Sequence, residues 1–293
     1  DVYKRQAVES GGNYKLRIDT DESLQHRLFA GMDEENSAYN LKPKETFVTP
    51  PVAMTYSADG MGTVSRRFHR WGRENRLAHG DKERKILLNS WEGVYFDINE
   101  QGMDRMMQDI ASMGGELFVM DDGWFGVKYP RKNDSSSLGD WMVDTNKLPN
   151  GINGLLESAR KHGVKFGIWI EPEMTNTVSE FYEKHPDYVI KAPNRDVVKG
   201  RGGTQLVLDM ANPKVQDVVF HIVDTLMTKY PDIDYIKWDA NAPVMSHGSQ
   251  YQTADNQSHL YIGYHEGLKK ALERIRAKYP DVTICLLYTS DAA

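Results

Sequence analysis

Hydrophobic and polar positions along this chain follow two rhythms, and the change comes near residue 85. Before it, apolar residues alternate with polar ones over short stretches, at 14–18 and again at 45–49 ahead of Pro50 and Pro51. Successive side chains of a strand point to opposite faces, so this pattern predicts half-buried β-strands. Gly60, Gly62 and Gly80 punctuate the region, and no helical period is sustained. Beyond Lys85, continuous apolar runs alternate with segments of helical period. The runs at 86–91, 117–120, 166–170, 206–208, 235–239 and 282–284 predict strands. Between them, one helix is opened by Asn99, carries Met103, Met106, Met107, Ile110 and Met113, and is stopped by Gly114 and Gly115. A second surrounds Leu155, Leu156 and Ala159 and ends at Gly163. A third starts at Pro213 with Val215, Val218, Val219, Ile222, Val223 and Leu226 on one side, and a fourth carries Leu268, Leu272 and Ile275.

Apolar strands alternating with helices argue for a parallel sheet covered by helices, in either a doubly wound or a barrel arrangement. Carboxylates and aromatics stand at nearly every strand's C-terminal end, which favours a barrel, whose site collects residues from many strands. No G-x-G-x-x-G follows the first strand, so a dinucleotide fold loses its main support. The expected architecture is therefore α/β: an incomplete (β/α)8 TIM barrel of about five and a half units over 81–284, preceded at 1–80 by the tail of a β domain. Residues 1–6 and 285–293 do not continue the patterns beside them and read as foreign, so the chain is expected to be a fragment cut at both ends.

With 293 residues, 40% of them hydrophobic, the chain has length for one large core and part of a second. A net charge of −6 with scattered lysines and arginines gives no nucleic-acid footprint. The single cysteine, Cys285, excludes an internal disulfide framework. No apolar run approaches the roughly 18 residues of a membrane span.

The chemistry concentrates at strand ends. In Tyr235-Ile-Lys-Trp-Asp-Ala-Asn241, alternation sets Lys237, Asp239 and Asn241 on one face and Trp238 on the other. Such polar groups on an apolar strand are costly to bury without a purpose. Glycosidic hydrolysis wants two carboxyl groups, about 5 Å apart in retaining enzymes. Asp239 leads as nucleophile because Lys237, two residues back, would favour its ionised form; a structural pair on a barrel rim is the alternative. Asp121 and Asp122 are consecutive, but Gly123 lets the chain turn, so both can face the mouth and accept from sugar hydroxyls; a turn signal or a metal ligand are the other readings. Trp91, Trp124 and Trp169 can stack on a pyranose or fill the core. Trp169 is out of parity with Ile168 and Ile170, which turns it toward the interior or mouth. Glu171 and Glu173 form a rival catalytic pair, or a rim salt bridge. Arg201, in a Gly-rich run, is a loop cation able to reach a substrate. No histidine stands at a strand end, so a metal hydrolase is disfavoured and no cofactor is expected.

Taken in order, the stretches Asn89-Ser-Trp-Glu92, Asp121-Asp-Gly-Trp-Phe125, Gly167-Ile-Trp-Ile-Glu-Pro-Glu-Met174, Gln205-Leu-Val-Leu-Asp209 and Ile236-Lys-Trp-Asp239 resemble the α-galactosidases of glycoside hydrolase family 36. The resemblance covers about residues 40 to 284. It implies a (β/α)8 barrel preceded by an N-terminal β-sandwich of which 1–80 would be the C-terminal remnant, a retaining mechanism, no metal, an α-galactoside oligosaccharide as substrate and a homo-oligomeric full-length protein. By matching position, Asp239 would be the nucleophile and Asp121 and Asp122 would bind galactose hydroxyls, while Trp91, Trp169, Arg201, Lys237 and Asn241 would line the sugar subsite. The family's acid/base aspartate follows a Gly-rich stretch after strand six, where this chain runs into Cys285; Asp291 is not assigned that role. The chain alone is accordingly expected to be inactive on natural galactosides. The alternatives are an α-galactosyl transferase of the raffinose-synthase kind, an α-N-acetylgalactosaminidase, or a sugar-binding barrel that has lost catalysis.

Overall fold

A computed structural model describes residues 3–35, 37–245 and 247–287. The chain divides into two compact units, one of Asp1–Arg84 with Ala254–His265 and one of Lys85–Thr253 with Glu266–Ala293.

In the first unit, β1 (Tyr3–Val8) pairs antiparallel with β4 (Val52–Ser57), and β2 (Tyr14–Thr20) with β3 (His26–Met32). The strand expected at 45–49 is absent; pairing starts instead beyond the two prolines, which lack the N–H a ladder needs. The expectation of β structure throughout is also corrected by α1 (Met61–Asn75). Met61, Val64, Phe68 and Trp71 do fall at helical spacing, but only Val64 is buried, and the arginines between them mask the period.

The second unit is built on five parallel strands: β5 (Leu87–Asn89), β6 (Leu117–Met120), β7 (Lys165–Ile170), β10 (Ile233–Trp238) and β11 (Thr283–Leu286). They neighbour one another in sequence order, without the reversal that defines a doubly wound sheet. That unbroken order, with the sheet curled, is the barrel's. The apolar run at 206–208 does not join it. β9 (Gln205–Val207) pairs antiparallel with β8 (Met174–Asn176) in a separate two-stranded sheet, and β10 hydrogen-bonds directly to β7. A strand count from apolar runs therefore exceeds the number of barrel strands by one. Cys285 and Leu286 lie in β11, level with Lys237 and Trp238, whereas Asp291 lies outside the described residues.

After β5 comes the single turn α2 (Trp91–Val94), then α3 (Glu100–Ser112), whose N-terminus is capped where expected: Asn99 Oδ1 accepts from the Gly102 N–H at 2.8 Å. Met103, Met107 and Ile110 face the core, while Met113, past the last turn, is exposed. α4 (Gly151–His162) ends on Gly163 at φ 73°, a left-handed position that suits glycine. α5 (Glu180–Lys184) and α6 (Pro213–Lys229) follow, α6 with Pro213 in its first turn and Val215, Val219 and Val223 buried. α7 (Leu260–Lys278) closes the order, the unit boundary falling after its His265.

Candidate active site

Register brings the strand ends together. Met120, Ile168 and Ile236 stand at one level of the sheet, and Trp169 stands level with Lys237 on the next. Gly167 makes room beneath: a Cβ there would meet Tyr235 Cβ and Val119 Cγ2, each at 3.0 Å. One step beyond β10, the Asp239 N–H still bonds the Ile170 carbonyl at 2.8 Å, so its carboxylate projects from the sheet's C-terminal edge on an ordered backbone.

Three N–H groups converge on Asp239. Oδ2 accepts from Trp169 Nε1 at 3.0 Å and from Asn241 Nδ2 at 2.7 Å, and Oδ1 accepts from the Ala240 N–H at 3.0 Å. Trp169 is buried, its ring stacked on Phe125 with centroids 6.2 Å apart, so its N–H is aimed by packing. β10 ends at Trp238, so Asp239 and Asn241 stand beyond it and strand parity does not set their directions; the Asn241 amide meets Asp239 through a hydrogen bond instead.

Lys237 departs from expectation. Its Nζ lies 2.6 Å from Asp121 Oδ2, and its ion pair is with that residue rather than with Asp239. The reason is the register: Asp121 follows Met120 onto the level of Lys237, and a long lysine stem spans the strand between them. Asn89 Nδ2 donates to the same Asp121 oxygen at 2.6 Å, which makes a triad of groups from three strand ends.

Asp121 and Asp122, both buried, take different partners. Gly123 turns at φ 114° as expected, but Asp122 is buried and gripped by Arg131, whose Nη2 is 2.7 Å and Nε 3.0 Å from its carboxylate oxygens. Burial pushes the Asp122 carboxyl up, and the guanidinium pulls against it. Arg131 is itself 2% exposed, lies over the rings of Phe96 and Phe125, and donates to Asn176 and Ser136. A polar residue in a long loop, it carries no local sequence signal of this role. Nor does Lys147, whose Nζ donates to the carbonyls of Phe96, Gly123 and Arg131 at 2.8, 2.7 and 2.9 Å, drawing the loops that bear the two aspartates onto one ammonium. Burial pulls its pKa down.

The rival pair is split. Glu171 and Glu173 stand in the turn after β7, where strand parity no longer applies. Glu173 Oε1 accepts from Trp238 Nε1 at 2.8 Å, whereas Glu171 Oε1 accepts from the Asn241 backbone N–H. Burial pushes the Glu171 carboxyl up to about 8. Trp124 is core, donating its N–H to the Trp169 carbonyl at 3.0 Å. Trp91 packs edge-on against Tyr95 and Phe96. Arg201 joins none of the Asp239 partners; its Nε pairs with Asp134 at 3.2 Å, and that carboxylate also lies 3.7 Å from Arg131. Among the described residues no cluster of His, Cys, Asp and Glu is arranged to hold a metal ion.

The sequence profile of the melibiase family matches residues 46–286. The chain is 38% identical over 285 residues to α-galactosidase AgaA of Geobacillus stearothermophilus, covering 96% of this chain and 38% of that protein. It is 37% identical over 284 residues to α-galactosidase 1 of Pediococcus pentosaceus, again with 96% and 38% covered. A crystal structure of an AgaA variant with 1-deoxygalactonojirimycin superposes with a TM-score of 0.92 at 35% identity, covering 97% of this chain and 39% of that one. Other AgaA variants have been crystallised with raffinose and with stachyose. The chain thus spans well under half the length of the curated relatives it matches.

Proposed function

The chain belongs to the melibiase family, glycoside hydrolase family 36, and from that premise we propose that its protein is a retaining α-galactosidase with Asp239 as nucleophile. The observation that carries this reading is the Asp239 carboxylate itself, at a parallel strand's C-terminal end with three N–H donors fixing its orientation. Oδ1, bearing one donor, keeps a lone pair for the anomeric carbon. As that C–O bond forms, the glycosidic C–O bond breaks, and the leaving oxygen takes a proton from a general acid to which no described residue is assigned. Water then cleaves the galactosyl ester and restores the carboxylate. Lys237, Asp121 and Asn89 offer the sugar a cation, an acceptor and an amide within one hydrogen-bonded group. The substrates proposed are terminal α-galactosides of the raffinose and stachyose kind, by likeness to AgaA.

An α-galactosyl fluoride needs little acid assistance, so it tests the nucleophile alone. The folded chain is expected to give a burst of fluoride that Asp239→Ala abolishes, while raffinose is left intact. A burst that survives this substitution places the nucleophile elsewhere. If a folded chain gives no burst yet binds galactose, the sugar-binding reading replaces the catalytic one.

A further inference from the structure

Asp239 and Glu171 are neighbouring carboxyl groups with unequal surroundings. Asp239 accepts three N–H bonds at the strand end. Glu171 is 2% exposed, and its Oε1 accepts from the Asn241 backbone N–H. The charged groups that act on Glu171 come from three elements: Asp239 beyond β10, Asp122 beyond β6, and Arg131 in the loop after it. The Arg131 guanidinium is already forked onto Asp122, so it leaves Glu171 without an ion pair of its own. A buried carboxyl group with few donors and no counter-ion of its own favours its neutral form.

We propose that Glu171 is a positioning residue of this site, buried as the neutral acid and anchoring the Asn241 backbone whose side-chain amide orients Asp239. The proposal rests on Asp239 being the nucleophile for its purpose, though not for its protonation. The direction in which burial moves Glu171, to about 8, agrees with it. The sign for stability follows. An acid whose folded pKa is raised is stabilising below its unfolded value, and that stability is lost as pH rises through the folded one. For Glu171 the window runs from its ordinary value of 4.5 to about 8.

The test compares the full chain with Glu171→Gln, an isosteric neutral side chain that can still accept from the Asn241 N–H. Across that window the wild-type Tm is expected to fall relative to the variant's, and the two curves to run parallel above it. Parallel curves throughout would mean that Glu171 is ionised in the folded protein, and would overturn the proposal. Should the glutamine variant not fold, infrared titration of the wild-type chain reads the same proton: a protonated carboxylic C=O band should persist at pH 7, and its absence overturns the proposal. Fluoride release gives the functional arm. Glu171→Ala should lower the burst and Glu171→Gln restore it. A burst that Glu171→Ala leaves at the wild-type size sinks the positioning role. If no form releases fluoride, the nucleophile reading fails, while the Tm comparison still decides the protonation.

Discussion

At the scale of single residues, the site is a set of charges whose partners decide what each can do. Asp121 shares one oxygen between an ammonium and an amide, while Asp122, its neighbour in sequence, is consumed by a buried guanidinium. Removing one member of a buried pair costs more than the pair contributes, because the survivor is left uncompensated. Arg131→Ala is therefore expected to cost about 3–5 kcal/mol in urea unfolding. The double variant with Asp122→Asn should recover part of that loss, since the stranded carboxyl has gone. A single variant within about 0.5 kcal/mol of wild type would show that Arg131 holds nothing there. None of this was readable locally: Asp121 and Asp122 stood out as strand-end carboxylates, but the sequence offers no rule by which Lys237 selects Asp121 over Asp239.

Among elements, what the chain announced best were helix ends. Asn99, Gly163 and Pro213 were assigned from their chemistry alone, and each holds its expected place, because caps and stops satisfy backbone groups within a few residues of themselves. The link between α3 and α4 was less visible. Asp104 on α3 accepts from Ser158 at 2.5 Å and lies 3.0 Å from His162 Nε2, both on α4. The Ser158 hydroxyl, then His162, hold the Asp104 carboxyl below its ordinary value. A depressed folded pKa adds stability above the unfolded value, 3.8, that is lost as pH falls below it. Asp104→Asn should thus flatten the acid side of the stability curve while leaving its slope near pH 7 unchanged, as followed by circular dichroism. An unaltered acid limb would mean that the hydroxyl and imidazole contribute nothing there. The strand misassigned at 206–208 shows the limit of periodicity: a short buried run looks the same in a barrel and in a two-stranded ribbon, and only pairing separates them.

For the whole molecule, the test is whether the second unit presents a formed sugar site. A ligand that binds only the folded state stabilises it by about 2.7 kcal/mol at a hundred times its Kd. We expect 1-deoxygalactonojirimycin, which AgaA binds, to raise the Tm of this chain. Asp121→Asn and Lys237→Ala should each remove that shift; Lys237→Ala should also lower the ligand-free Tm, since it strands the buried Asp121 carboxylate. A shift that both variants retain would place the sugar away from this group.

Chain geometry explains what was legible. Alternation, helical period and capping are local properties, so the amino-acid order by itself determined the parallel α/β class and the strand ends that carry Asp121, Asp122, Glu171 and Asp239. Which of these groups meet was decided only by the tertiary structure. Lys237 reaches Asp121 across 116 residues of chain, Trp169 reaches Asp239 across 70, and Arg131 and Lys147 enter from a loop whose sequence has no period at all. The physical reason is range: a hydrogen bond acts over about 3 Å, and the separations that set it come from sheet register and core packing, which no short stretch of sequence contains.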